Sequence, residues 1–434
     1  MELMFGIGRT FLLLWISRLL GIFASVMTEF TFAVWISQET GSVWQYSTLI
    51  ALAILPGVII TPWAGKLIDR YNRRALTLIA DLISLLAMCS LFILLNTRNL
   101  QVETLYAVNA VLSICQVFQL IPTHASISIM VPRAAWGRAN GLMQMAFGFS
   151  RLVAPWLAGF LLSQNGIHTI LLLVLSAASV GVCLMLTINI PPQDKLSSPK
   201  EETNPNKEFT HKKKLSFISA NPALRALMTY SLIESFVLGL AIMLVTPLTL
   251  TRYPVDTLGS VLFFCALGMI SAATIMIALP LPKKLLPIII LSDLLITTAL
   301  VVAGLFTEIT TLYACGFSFM FFSIISANCN LTIWQRKTEA QIQGSVFATR
   351  QALLVSSAAV ATFIGGYVAD TLFEPAMQPG GYLANSIGTL TGVGKGHGLG
   401  LMLVVAGLLF AVFILASYSK ADFRRIENNI PDTH

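Results

Sequence analysis

Apolar runs of about 20 residues or more recur along this chain, and each is long enough to cross a hydrocarbon core of about 30 Å as a helix. A spanning barrel would instead show segments of about ten residues alternating apolar with polar, and these runs are continuously apolar. Charged residues make up 11% of the 434, against about 25% in ordinary soluble domains. The first run is too long for a signal peptide and lacks a small-residue cleavage site, so it is expected to stay as the first span. The chain reads as an all-α polytopic membrane protein.

Breaks of charge, Pro and Gly place twelve spans, at residues 10–36, 44–64, 75–96, 104–130, 138–163, 167–189, 222–250, 257–279, 285–306, 309–334, 344–372 and 398–417. The longest polar segment, PPQDKLSSPKEETNPNKEFTHKKK at 191–214, has the Pro, Ser, Asn and charge content of a flexible linker. It divides the spans six and six. The expected organisation is a helical bundle over 1–190, a linker over 191–218, a second bundle over 219–420 and a tail over 421–434. The halves resemble each other: RANGLMQMAFGFSRLVAPWLAGFL at 138–161 aligns with GSVFATRQALLVSSAAVATFIGGYVA at 344–369. RRALTLIADLISLL at 73–86 matches KKLLPIIILSDLLITT at 283–298, each with a basic pair before the helix and an Asp inside it. Parallel repeats of this kind place a substrate site between halves near the bilayer midplane and work by alternating access.

With an even number of spans both termini face one side. If that side is the cytoplasm, Arg9, the 64–74 segment, Arg133, Arg138, Lys195 to Lys214, Lys283, Lys284, Arg336, Lys337 and Lys420 to Arg425 lie inside. Only Arg98, Arg252 and Lys395 lie in outside loops, as the positive-inside bias requires. Topology thus accounts for the net charge of +7 without a nucleic-acid partner. The six cysteines all fall within apolar runs and lack metal-ligand spacing, so they read as small core residues.

The segment AGKLIDRYNRR at 64–74 concentrates five charges between spans 2 and 3. A topology anchor explains Arg70, Arg73 and Arg74, but neither Gly65 at the helix end nor Asp69. G-K-L-I-D-R-Y-N-R-R resembles the loop signature G-x-L-x-D-R-x-G-R-R of the major facilitator superfamily. Asn72 stands where the family usually has Gly, and Asn is the residue next most tolerant of a left-handed backbone. The resemblance implies two pseudo-symmetric six-helix bundles and a latch in which Asp69 sits against the start of span 11. A carboxylate is stabilised there by the unpaired N–H groups and partial positive charge of the helix terminus. Arg350, one to two turns into span 11, is expected to meet that latch.

In span 5, SRLVAPWLAG at 150–159 is similar to the family's antiporter motif G-x-x-x-G-P-x-x-G-G, with Ser150, Ala154 and Ala158 at small positions and Pro155 and Gly159 retained. A generic small-residue packing stripe is the competing reading, since such spacing lets any two membrane helices approach closely. LWISRLL (14–20), WISQETGS (35–42), SIMVPRAAWGRANGL (128–142) and LFEPAMQPGGYL (372–383) look like the drug and secondary-metabolite exporters that include macrolide efflux proteins and the enterobactin exporter. One departure is the absence from span 4 of the Arg that many proton-coupled relatives carry.

An ionisable residue inside a span is expensive unless it faces a cavity or a partner. Glu234 in span 7 and Arg151 in span 5 fall near the midplane, and Glu29 lies in the outer half of span 1. Spans 1, 4, 7 and 10 line the cavity in the resembling family, which implies that Glu29 and Glu234 face it as proton or cation sites. Arg18 is expected either to bind an anionic group or to extend to the inner interface, and Asp81 and Asp293 to pair with neighbouring basic residues. TGVGKGHGLG at 391–400 looks like a phosphate loop but lacks the first Gly and the final Ser/Thr that one needs. The expected protein is a monomeric secondary transporter of the inner membrane, not an enzyme, exporting an amphipathic organic compound against protons. Its expected partners are that small molecule, protons and membrane lipids, with no cofactor and no metal. Uptake, lysophospholipid flipping and a non-transporting sensor are the alternatives.

Overall fold

A computed structural model of the chain describes residues 8–97, 99–131, 136–188, 221–278, 282, 284–306, 308–338, 340–424 and 427. Eleven of the described helices are long and apolar enough to span a membrane. They are α1 (Arg9–Thr40), α2 (Val43–Arg70), α3 (Arg73–Asn96), α4 (Val102–Met130), α5 (Trp136–Thr187), α6 (Pro222–Arg252), α7 (Val255–Ala278), α8 (Leu286–Leu305), α9 (Ile309–Lys337), α10 (Ala340–Val368) and α11 (His397–Ser419). Among the described residues no strand occurs. Lipid offers backbone amides no partner, so each spanning segment must satisfy them internally, as a helix does.

At 52 residues α5 is twice the length one crossing needs, and Gly166 breaks it with φ 74° and ψ 178°. It therefore makes two passes, and the eleven helices provide the twelve expected spans. Elsewhere local chemistry sets the ends. Gly41 closes α1 in the left-handed region at φ 63° and donates its N–H to the Ser37 carbonyl at 3.1 Å. Ser42 then caps α2, its side-chain oxygen accepting from the Gln45 amide at 3.2 Å.

Exposed apolar side chains mark the lipid-facing stripes. On α3, Ile79, Leu82, Ile83, Leu86 and Ile93 are exposed, while Thr77, Ala80, Asp81, Met88 and Leu91 turn inward. This inverts the soluble pattern: the polar residues are the buried ones.

The chain forms two compact units, one of residues 1–196 with 253–263 and the other of 197–252 with 264–434. The segment 191–218, expected as a linker, lies wholly outside the described residues. In the first unit α1 packs on α5, and α4 packs on α2 and α3. Gly57 brings α2 against α4: a Cβ there would stand 3.0 Å from the Ser113 carbonyl, whose own hydroxyl accepts the Gly57 amide at 3.0 Å. In the second unit α8 packs between α9 and α11, and α6 packs on α10. Gly239 allows that last approach, since a Cβ would meet the Ala358 carbonyl at 2.7 Å.

Candidate functional site

In the first unit, Arg18 of α1 reaches across to Asp81 of α3 with both guanidinium nitrogens, Nη1 donating to Oδ1 at 3.1 Å and Nη2 to Oδ2. Both residues are buried. Arg18 thus spends its charge inside the bundle rather than extending to the interface, and Asp81 has the basic partner expected for it. Ser17 beside it donates to the Gly181 carbonyl at 2.8 Å, tying α1 to the second pass of α5. An open cleft runs beside the ion pair, lined by Ser25, Asp81, Ser84, Gln116, Gln119 and Gly181.

Two glutamines of α4 organise its polar wall. Gln119 Nε2 donates to the Ser84 hydroxyl at 3.1 Å, and Gln116 Nε2 donates to Ser25 at 3.0 Å and to Glu29 Oε1 at 3.5 Å. Glu29, the second acceptor of Gln116, is exposed on α1, and Arg151 is exposed on α5. Neither glutamine is among the expected site residues; two glutamines inside an otherwise apolar span are the signal that points to them.

In the second unit the polar residues are sealed in. Tyr230 of α6 donates its hydroxyl to Asp293 Oδ2 of α8. Glu234, one turn along α6, accepts from the Ser326 hydroxyl of α9 at 2.9 Å. Asn330 of α9 donates to Ser231 at 2.9 Å and accepts from Arg350 Nη2 of α10 at 3.1 Å. All seven side chains are buried, so Glu234 points into its own unit rather than into an open cavity. Asp293, expected to pair with a base, has a tyrosine instead.

A layer of rings closes this network toward the chain terminus. Phe423, in the segment expected to be a tail, is buried and stacks on Tyr230 with centroids 4.8 Å apart. Four residues on, Glu427 accepts the Leu285 amide at 2.8 Å and the Leu286 amide at 3.4 Å, holding the start of α8. Lys337 at the end of α9 donates to the Glu427 carbonyl at 2.8 Å.

The charged loop is described in part. The side chains of Gly65, Lys66, Asp69 and Arg70 lie outside the described residues. Arg74 donates to the Leu186 carbonyl at 2.7 Å, joining the start of α3 to the end of α5, and Arg73 is half-buried. Asn72 has φ −63°, not a left-handed backbone. Its side-chain oxygen accepts the Arg74 and Ala75 amides at 2.9 and 3.4 Å, so Asn stands there because it caps α3.

Ser150, Ala154, Pro155, Ala158 and Gly159 are all buried on one side of α5. A Cβ on Gly159 would lie 3.2 Å from the Val255 carbonyl, and one on Gly259 would lie 2.9 Å from the Pro155 carbonyl. The small positions therefore serve a close approach to the first turns of α7. The glycine-rich stretch before α11 also holds an anion, but an internal one: Glu374 accepts the Gly396 and Leu399 amides at 3.2 and 3.0 Å. Those amides are the helix-terminal donors that a phosphate would need.

The model of the Major Facilitator Superfamily matches residues 14–362. The chain belongs to that superfamily. Its membership and fold make it a multi-pass membrane transporter rather than an enzyme. Among curated proteins it is similar to macrolide efflux protein A of Streptococcus pyogenes, 24% identical over 227 residues, which is 52% of this chain and 55% of that protein. Macrolide efflux protein A of Enterococcus faecalis is 26% identical over 186 residues, 43% of this chain and 57% of the relative. The chain thus spans about half the length of the curated relatives it matches. Among solved superfamily structures, a bacterial homologue of the human lysosomal transporter Spinster has a TM-score of 0.66 at 17% identity, covering 96% of this chain and 97% of its own. A D-xylose-proton symporter has a TM-score of 0.65 at 14% identity, covering 94% and 98%. These likenesses are of fold.

Proposed function

We propose that this superfamily member exports an amphipathic organic compound, of the kind its macrolide-efflux relatives are named for, in exchange for protons. One observation carries the reading above the others. Inside an apolar bundle, a cleft walled by Ala24, Met88, Leu112 and Val182 also carries the polar groups of Arg18–Asp81, Ser25, Ser84, Gln116 and Gln119, and Gln116 reaches on to the exposed Glu29. Groups so expensive to keep in a membrane span mark a substrate or ion pathway. Amide and hydroxyl donors suit a ligand rich in oxygen, and an exposed carboxylate suits one carrying an ammonium group. The twelve passes, the loop signature with Asp69 and the small-residue face of Pro155 and Gly159 support a cycling transporter. In this reading Asp69, Arg70, Arg73 and Arg74 with Gly65 gate the cytoplasmic side, Arg350, expected at that latch, is instead buried against Asn330 of α9, and both termini are cytoplasmic. The working unit is a monomer in an inner-membrane lipid bilayer.

The test uses inverted vesicles that have been acid-loaded and carry a pH-sensitive dye. Addition of a macrolide is expected to dissipate the gradient in vesicles with the wild-type chain and not with Asp69→Asn. Dissipation unaffected by Asp69→Asn would remove the latch assignment. No response to any macrolide, with gradient-driven movement of lysophospholipid instead, would transfer the same fold to the flippase reading.

A further inference from the structure

We infer that Asp293 and Glu234 together hold one exchangeable proton, making the interior of the second unit a proton site. This deepens the exporter reading, and rests on it only for what the proton is exchanged against.

The argument is one of charge count in a closed space. Arg18 and Asp81 are 63 residues apart, and so are Tyr230 and Asp293, in the halves that resemble each other in sequence. In the first unit the pair is one base and one acid, neutral without any proton. In the second unit a tyrosine occupies the position of the arginine, and the acid has no base of its own. Asp293 is 0% exposed; Oδ2 accepts from Tyr230, while Oδ1 has no hydrogen-bond partner among the described residues.

The groups facing this carboxyl come from every element around it. From α6 come Tyr230 and Glu234, and from α9 the neutral Ser326 and Asn330. From α10 comes Arg350, buried and hydrogen-bonded to Asn330. From α11 and the terminal segment come the rings of Phe410 and Phe423, both packed on Tyr230. Glu427 accepts the Leu285 amide at the start of α8, and Lys337 at the end of α9 donates to the Glu427 carbonyl. Among the described residues the enclosure therefore holds two acids and one guanidinium. An uncompensated buried charge is costly, and one proton removes it.

Oδ1 is the open acceptor for that proton. When the enclosure admits water, a hydronium transfers H⁺ to it, forming the carboxyl O–H and leaving water, and the reverse step returns H⁺ to water. Tyr230, which donates to Asp293, and Glu234 lie one turn apart on α6, so the two acids share one enclosure.

Infrared difference spectra of the full chain in lipid nanodiscs, between acid and alkaline buffer, read the carboxylic C=O band directly and need no substrate. Wild type is expected to show one buried carboxylic band, lost in Asp293→Asn. Tyr230→Phe should keep the band but shift its frequency, and Glu234→Gln should alter its titration. A band unchanged in both Asp293→Asn and Glu234→Gln would overturn the proposal, and Asp293→Glu restoring the band in a folded protein would uphold it. Uptake of labelled macrolide into inverted vesicles separates the two readings. Macrolide uptake that stays proton-driven in both variants would sink the proton site and leave the exporter standing. A band that behaves as described in a protein that moves no macrolide would uphold the site and sink the substrate assignment.

Discussion

The first and second units place an acid at the same spacing from an α1 or α6 side chain and give it opposite surroundings. Asp81 is locked by the two donors of Arg18 beside an open polar cleft; Asp293 meets the single hydroxyl of Tyr230 in a sealed interior. Duplication preserves the place of a residue in the bundle more readily than its chemistry. An ion pair ties two helices together at any pH where both partners stay charged, whereas a carboxyl with a neutral partner can change its charge. The comparison sets a fixed ion pair in the first unit against a carboxyl with a neutral partner in the second.

The strongest way to break this contrast is to make one substitution at both acids. Asp81→Asn strands the Arg18 guanidinium in a buried position and should cost about 3–5 kcal/mol, seen as a large drop in unfolding temperature of the solubilised protein. Replacing both partners, Arg18→Met with Asp81→Leu, should recover most of that loss because no charge is left behind. Next in size is Phe423→Ala, which empties a fully packed site over Tyr230 and should cost about 3 kcal/mol in the same assay. It should also speed deuterium exchange into the carboxyl of Asp293; an unchanged rate would remove the ring as a seal.

Ser326→Ala takes the donor from Glu234 Oε1 and should cost about 1–3 kcal/mol. Asp293→Asn should be the mildest of the series, below about 1 kcal/mol, since the amide carbonyl still accepts from Tyr230 and no charge is stranded. Equal losses for Asp81→Asn and Asp293→Asn would erase the distinction between the units.

Much of this was legible in the chain before folding was considered. Lengths of apolar sequence set the number of passes, and even the fused helix α5 respects it through Gly166. The basic partner of Asp81 was expected. The partner of Asp293 was not, because KKLL beside its helix suggested a base, and nothing local points from Asp293 to a tyrosine 63 residues earlier. Asn72 illustrates a subtler limit: its residue type suits both a left-handed turn and an N-cap, and the backbone at φ −63° takes the second. Phe423 and Glu427 read as a polar tail by composition, yet one ring and one carboxylate there complete the ends of α6 and α8.

What the sequence determined by itself is whatever the surrounding lipid enforces one segment at a time: helices, their number and the family signature at 65–74. What only the tertiary structure decided is which buried polar groups meet. That depends on the rotation and depth of each helix against its neighbours, where a shift of one residue turns a side chain by roughly 100°. Arg18 finds Asp81, Tyr230 finds Asp293 and Gln116 finds Glu29 only once those rotations are set by packing.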